Sequence, residues 1–202
     1  MSEVRDKNRQ DRRRDDAIRT FICIEVPDSI KNRIASLQQE LKRLGAQVSW
    51  TNPANIHLTI KFLGDVAVSK LDTVRGAVER AIDSMSEFEI EVGGAGCFPA
   101  PKNPRVLWVG LTNIPDALRA LHKRIEDGLA RGGFEREQKR FSPHLTIGRI
   151  RGPHNAKLVV EKLVAMGFEP ESFRASEVIV MRSDLKPTGS VYTPQAIIKL
   201  RD

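Results

Sequence analysis

His57-Leu58-Thr59-Ile60 recurs letter for letter as His144-Leu145-Thr146-Ile147, 87 positions later (144 − 57 = 87). The chain has four histidines and eight threonines among its 202 residues. Two of four histidines with a Thr two places on is therefore an accident on the order of 1%. In each copy apolar and polar residues alternate, the period of a half-buried strand. Leu58, Ile60, Leu145 and Ile147 then face the core, while His57 and Thr59, and His144 and Thr146, share the opposite face about 7 Å apart.

Imidazole, with an unperturbed pKa of about 6.5, serves as neutral base or charged acid near neutral pH. Two such groups facing each other across a cleft divide a displacement: one takes a proton from an attacking water or hydroxyl, the other gives one to the leaving oxygen. Threonine hydroxyls beside them donate to an anion's oxygens. A phosphodiester suits this arrangement, since in-line displacement needs acid and base on opposite sides of phosphorus and donors around its equator. A lone His-x-Thr on a strand is more simply a structural, hydrogen-bonded residue; the duplication is what favours chemistry.

Around this pair, Lys61 lies on the predicted face of His57 and Thr59, where it serves either as a phosphate ligand or as a solvated surface lysine. Strict alternation from His144 points Arg149 away from the cleft unless the strand bulges or ends at Gly148. Phe62, Trp108 and Phe141 are available to stack a base, with core placement the simpler reading for Phe62 and Trp108. His122 and His154 read as exposed. No His-x-His, His-Glu-x-x-His or Cys/His cluster suggests a metal site, and no cofactor is expected.

The elements that must position these groups repeat as well. Strand Arg19 to Val26, Pro27-Asp28, a helix with Ile30, Ile34, Leu37 and Leu41, and a stop at Gly45 lead to the first motif strand, which follows a short strand at Val48 to Thr51. A helix over Leu71 to Met85 and a strand at Phe88 to Val92 follow, with a bulge expected at Gly93-Gly94-Ala95-Gly96. Strand Arg105 to Leu111, Pro115-Asp116, a helix with Leu118, Leu121, Ile125 and Leu129, and a stop at Gly132 lead to the second motif strand at Pro143 to Arg149. A helix near Lys157 to Met166, a strand from Phe173 to Met181 and a last strand from Val191 to Leu200 complete the copy. The expected fold is α+β: two β-α-β-β-α-β lobes, about 18–98 and 104–200, related by a pseudo-twofold axis. Their antiparallel-rich sheets face a central cleft, with the helices outside.

Composition fits a soluble single domain. Residues 1–17 carry six Lys or Arg and five Asp or Glu and almost no apolar side chains, which reads as a disordered tail rather than a signal peptide. Removing its +1 from the formal +7 leaves +6 on residues 18–202, so a polyanionic partner is plausible. Cys23 and Cys97, without a CxxC spacing, read as buried reduced thiols in a cytoplasmic protein. No membrane partner is expected, and a monomer is.

Two His-x-Thr strands in tandem halves resemble the two-histidine (2H) phosphoesterase superfamily. The phrases Arg19-Thr20-Phe21-Ile22, His57 to Gly64, Pro104 to Trp108 and Phe141 to Arg149 are similar to the bacterial and archaeal RNA 2',3'-cyclic phosphodiesterases, or 2'-5' RNA ligases. The resemblance, over roughly residues 18–200, implies metal-free opening of an RNA 2',3'-cyclic phosphate to a 2'-phosphomonoester and a weak reversible 2'-5' joining. It implies that His57 protonates the leaving ribose oxygen and His144 activates water, an assignment the symmetric sequence leaves open. Thr59 and Thr146 would hold the non-bridging oxygens, with Arg149 as the family's basic residue. Alternatives are a small cyclic nucleotide or a 2'-5' oligonucleotide as substrate, or a binding module without catalysis.

Overall fold

The structure, a computed structural model, describes residues 17–187 and 189–202. The charged tail lies outside these, except that Ala17 opens the first strand. In chain order the elements are β1 (Ala17–Glu25), α1 (Asp28–Lys42), β2 (Val48–Trp50), β3 (His57–Ala67), α2 (Leu71–Ile82), β4 (Phe88–Phe98), β5 (Val106–Leu111), α3 (Asp116–Arg131), β6 (Leu145–Ile150), α4 (Ala156–Met166), β7 (Glu171–Ala175), β8 (Glu177–Lys186) and β9 (Gly189–Lys199). The strands form two antiparallel sheets, one ordered β3-β1-β8-β9 and the other β2-β6-β5-β4-β7.

The pseudo-twofold relation shows in these orders, because β3-β1-β8 in one sheet matches β6-β5-β4 in the other: motif strand, opening strand of its half, third strand. The third strand comes from the other half in each case, so both sheets draw on both halves. The second half also runs β-α-β-α-β-β-β rather than the expected β-α-β-β-α-β. The stretch read as one strand from Phe173 to Met181 is two, parted at Ser176. Ala175 pairs with Phe88 in the five-stranded sheet, whereas Glu177 pairs with Lys199 in the four-stranded one.

Helices α1 and α3 start alike, after Pro27 and Pro115, with Asp28 and Asp116 in their first turns. A carboxylate there complements the positive end of the helix dipole. Their apolar stripes (Ile30, Ile34, Leu37 and Leu41; Leu118, Leu121, Ile125 and Leu129) are buried as the 3.6-residue period requires. Gln38 of α1 donates to the carbonyls of Thr51 and Ile147, each at 2.8 Å, which docks this helix on the five-stranded sheet beside the second motif. Helices α2 and α3 pack on each other. A Cβ at Gly128 would lie 3.3 Å from that of Ala77, so the small residue sets their approach.

One continuous apolar core unites the helices with the inner faces of both sheets and includes Ile22, Leu58, Ile60, Leu107, Leu145 and Ile147. A second, smaller cluster of Phe21, Cys23, Ile179 and Met181, flanked by Tyr192, lies on the other face of the four-stranded sheet. Among the described residues no helix is long and apolar enough to cross a membrane.

Candidate active site

Each motif strand carries the same irregularity. On β3, Thr59 pairs with Cys23 and Lys61 with Ile22, so Ile60 is an extra residue; on β6, Thr146 pairs with Trp108 and Gly148 with Leu107, so Ile147 is extra. A bulge of this kind resets the alternation by one residue. It turns Lys61 and Gly148 inward and places Phe62 and Arg149 on the face of the His-x-Thr pairs. The burial pattern agrees: Lys61 is 7% exposed and Phe62 47%.

Two expectations change accordingly. Lys61 leaves the site: its ammonium donates to Glu126 Oε1 at 2.6 Å and to the Glu135 carbonyl at 2.9 Å, buried among the helices. Phe62, read as core, stands in the cleft instead, with the Arg19 guanidinium 4.4 Å from its ring centroid. Arg149 reaches the cleft through the bulge at Ile147, the exception that alternation allowed.

The cleft measures about 570 Å³ and is lined by His57, Thr59, Phe62, Thr146 and Arg149, and by Trp50 and Tyr192 among others. The motif strands β3 and β6 approach within 8 Å, Cα to Cα. Among the described residues Arg19, Arg149, Arg151 and Lys186 line it and no Asp or Glu does. The cleft is thus a cationic groove lined largely by polar side chains, with the rings of Phe21, Phe62, Trp50 and Tyr192 among them.

His57 and His144 are held alike. His57 Nδ1 lies 2.8 Å from the Asn55 carbonyl and His144 Nδ1 lies 2.8 Å from the Ser142 carbonyl, in each case two residues earlier. A carbonyl only accepts, so Nδ1 carries the proton and Nε2 is left with a free lone pair. Phe21 stacks on His57, with centroids 4.6 Å apart, and Tyr192 meets it edge-on at 5.3 Å. Phe98 packs edge-on against His144 at 4.9 Å. Burial lowers the pKa of both imidazoles, partly offset by the carbonyl bonds; Lys31 adds to the lowering at His57 and Arg149 at His144.

Of the remaining candidates, Trp108 is half-buried beside Thr146 on the cleft face of its sheet; a Cβ at Gly96 would lie 2.5 Å from its ring. Phe141 stacks on His122 at 3.9 Å. His122, expected to be exposed, is half-buried, whereas His154 is exposed. Cys23 and Cys97 are free and buried, and burial pushes both thiols up, away from reactive thiolate. Among the described residues no three His, Cys, Asp or Glu side chains gather as metal ligands. Sequence reasoning missed Trp50, Tyr192 and the cations Arg19, Arg151 and Lys186. Of these only Arg19, inside the phrase Arg19-Thr20-Phe21-Ile22, carried a signal, because Trp50, Tyr192 and Lys186 belong to short or late strands and Arg151 follows the end of β6, and only the fold brings them to the motifs.

These features define a two-histidine phosphoesterase fold, and residues 26–187 match the model of the 2'-5' RNA ligase superfamily, to which the chain belongs. Among curated relatives it is 34% identical to the RNA 2',3'-cyclic phosphodiesterase of Methanothermobacter thermautotrophicus, over 91% of this chain and 99% of that one. The enzyme of the same name from Thermotoga maritima is 32% identical, over 87% and 91%. Two solved structures share the fold at 22% identity: TT0787 of Thermus thermophilus, TM-score 0.75 over 91% of this chain and 98% of that one, and Escherichia coli LigT complexed with 3'-AMP, TM-score 0.73 over 92% and 99%.

Proposed function

We propose that this protein is an RNA 2',3'-cyclic phosphodiesterase that works by two-histidine acid–base catalysis. The observation that carries the reading is the matched pair of imidazoles, each bound through Nδ1 to a carbonyl with Nε2 left free, on strands whose His57, Thr59 and Thr146 line a cleft with no carboxylate among the described residues. The names of the relatives support the substrate class, and the complex of LigT with 3'-AMP supports a nucleotide-sized ligand.

In the proposed reaction Arg149, Thr59 and Thr146 hold the non-bridging oxygens of the cyclic phosphate. His144 Nε2 takes a proton from water as its oxygen attacks phosphorus; the P–O3' bond breaks, and His57 gives its Nε2 proton to the departing 3'-oxygen. The product is a 2'-phosphomonoester. With both pKa values lowered, the acid partner charges chiefly when the anionic substrate binds, since a nearby negative charge stabilises imidazolium. The step needs no metal. With an RNA 5'-hydroxyl in place of water as the attacking group, the same forward proton transfers break P–O3' and form a 2'-5' linkage, which is the basis for expecting weak, reversible ligation.

The roles are separable with an aryl phosphodiester, because nitrophenolate departs without a proton. His57→Ala is expected to keep most of its activity on bis(p-nitrophenyl) phosphate while losing the cyclic RNA end, and His144→Ala to lose both. Retention by His144→Ala alone would reverse the two roles, and near-wild-type RNA hydrolysis by both variants would end the proposal.

A further inference from the structure

The two carbonyls that orient the catalytic imidazoles are supported differently. Asn55 belongs to a 3-10 turn, Pro53–Asn55, capped by Asn52, whose Oδ1 accepts from Ala54 N at 3.1 Å. The Asn55 side chain also donates to the Ser190 carbonyl at 2.7 Å. The Asn55 carbonyl that holds His57 is therefore fixed by local structure. Ser142 has no such turn: residues 132–143, between α3 and β6, form neither helix nor strand.

Side chains of α3 hold that segment at two points. Glu126, 6% exposed, accepts from Lys61 Nζ through Oε1 at 2.6 Å and from the Glu137 backbone N–H through Oε2 at 3.2 Å. Lys61 Nζ also donates to the Glu135 carbonyl at 2.9 Å. One turn earlier in α3, His122 Nε2 lies 3.9 Å from Glu126 Oε1. Its ring stacks on Phe141, next to Ser142, with centroids 3.9 Å apart and planes 14° apart. Lys61 follows His57 by four residues on the same strand, so the cluster ties the strand of one histidine to the loop that orients the other. It lies on the helix side of β3, where the bulge at Ile60 turned Lys61, and none of it lines the cleft.

We propose that Lys61, Glu126 and His122, with Phe141, form a clamp that positions His144 by holding the Ser142 carbonyl where it fixes the imidazole as the Nδ1–H tautomer. These are positioning residues and touch no reacting atom. The clamp takes the place of the 3-10 turn that serves His57. A buried ion pair of this kind adds little net stability over apolar side chains of the same volume; here it fixes a geometry. The inference rests on the reading of His144 as one of the reacting pair.

The test uses Phe141→Leu, which removes the stacked ring from a half-buried loop position, with Phe141→Tyr as the conservative control and Glu126→Gln as a second entry into the same cluster. Nitrogen-15 NMR of the imidazoles reports the tautomer of His144 with no need for turnover. Released from its carbonyl, a neutral imidazole prefers the Nε2–H form, so Phe141→Leu is expected to move the His144 nitrogen shifts toward that form and leave those of His57 in place. It should lower kcat by about tenfold to 10²-fold, the scale of an ångström misplacement, with KM within about twofold, and Phe141→Tyr should restore both signals. A folded Phe141→Leu with wild-type His144 shifts overturns the proposal, whether or not kcat falls. If Glu126→Gln does not fold, Phe141→Leu decides alone. An active His144→Ala would sink the catalytic reading while leaving the NMR result to stand or fall on its own.

Discussion

Each motif imidazole presents one free nitrogen because its other nitrogen is committed to a backbone carbonyl two residues back, and under the proposed mechanism that arrangement has a measurable pH signature. The acid must be charged and the base neutral, so activity falls as pH rises through the acid's pKa and as pH falls through the base's. Burial lowers both values. The profile of kcat/KM, which reports the free enzyme, should be a bell centred below the ordinary histidine pKa of about 6.5; a profile flat from pH 5 to 8 would assign the chemistry to other groups. Arg149 contributes to the lowering at His144. Arg149→Met should therefore move the limb set by His144 to higher pH while raising KM through loss of a phosphate ligand. An unmoved limb would place Arg149 outside the field of His144. Replacing Thr146 by Val, which removes one equatorial donor, should cost about 10²-fold in kcat, measured on the cyclic RNA end; a change under threefold would remove Thr146 from the site.

The bulges at Ile60 and Ile147 decide which side chains the motif strands deliver. They bring Arg149 and Phe62 to equivalent places, a cation on one side of the cleft and an aromatic ring on the other. Gly148, the residue after the second bulge, lets β2 lie close: a Cβ there would sit 2.8 Å from Val48 Cγ1 and 3.1 Å from Trp50 Cε3. Gly148→Ala should cost about 1–3 kcal/mol by overpacking, seen as a lower denaturant midpoint, and should weaken substrate binding by displacing Trp50 from the cleft. An unchanged midpoint and KM would show that β2 gives way freely. The elements themselves were readable in the sequence, because His-x-Thr alternation and the Leu stripes of α1 and α3 are local signals. The bulges were not: nothing in Ile60-Lys61-Phe62 marks an extra residue, so period two carried Lys61 into the cleft and Phe62 out of it. At the second motif the family resemblance named Arg149 against the alternation, and Gly148 was the one hint that the strand could bulge there. The sheet switch at Ser176 was equally silent, since no Gly or Pro interrupts Phe173 to Met181, and only pairing with β4 and β9 divides it.

At the scale of the molecule, exchange of β4 and β8 between the halves locks the two sheets together over one core and leaves a cleft that carries Arg19, Arg149, Arg151 and Lys186. Arg151 and Lys186 line the cleft away from the His-x-Thr pairs, and under the proposed function they would meet phosphates further along a strand. Arg151→Ala and Lys186→Ala should weaken a short RNA more than a nucleoside 2',3'-cyclic phosphate. Each should flatten the dependence of log KM on log salt concentration by about 0.7 for the RNA. Equal effects on both substrates would confine these cations to the terminal nucleotide. The central claim is tested most directly by incubating the protein, in EDTA, with a short RNA ending in a 2',3'-cyclic phosphate and separating the 2'-phosphate from the 3'-phosphate product. The account predicts conversion to the 2'-phosphate, abolished in His57→Ala and His144→Ala. Intact cyclic ends in the presence of folded protein, or a 3'-phosphate product, would contradict it.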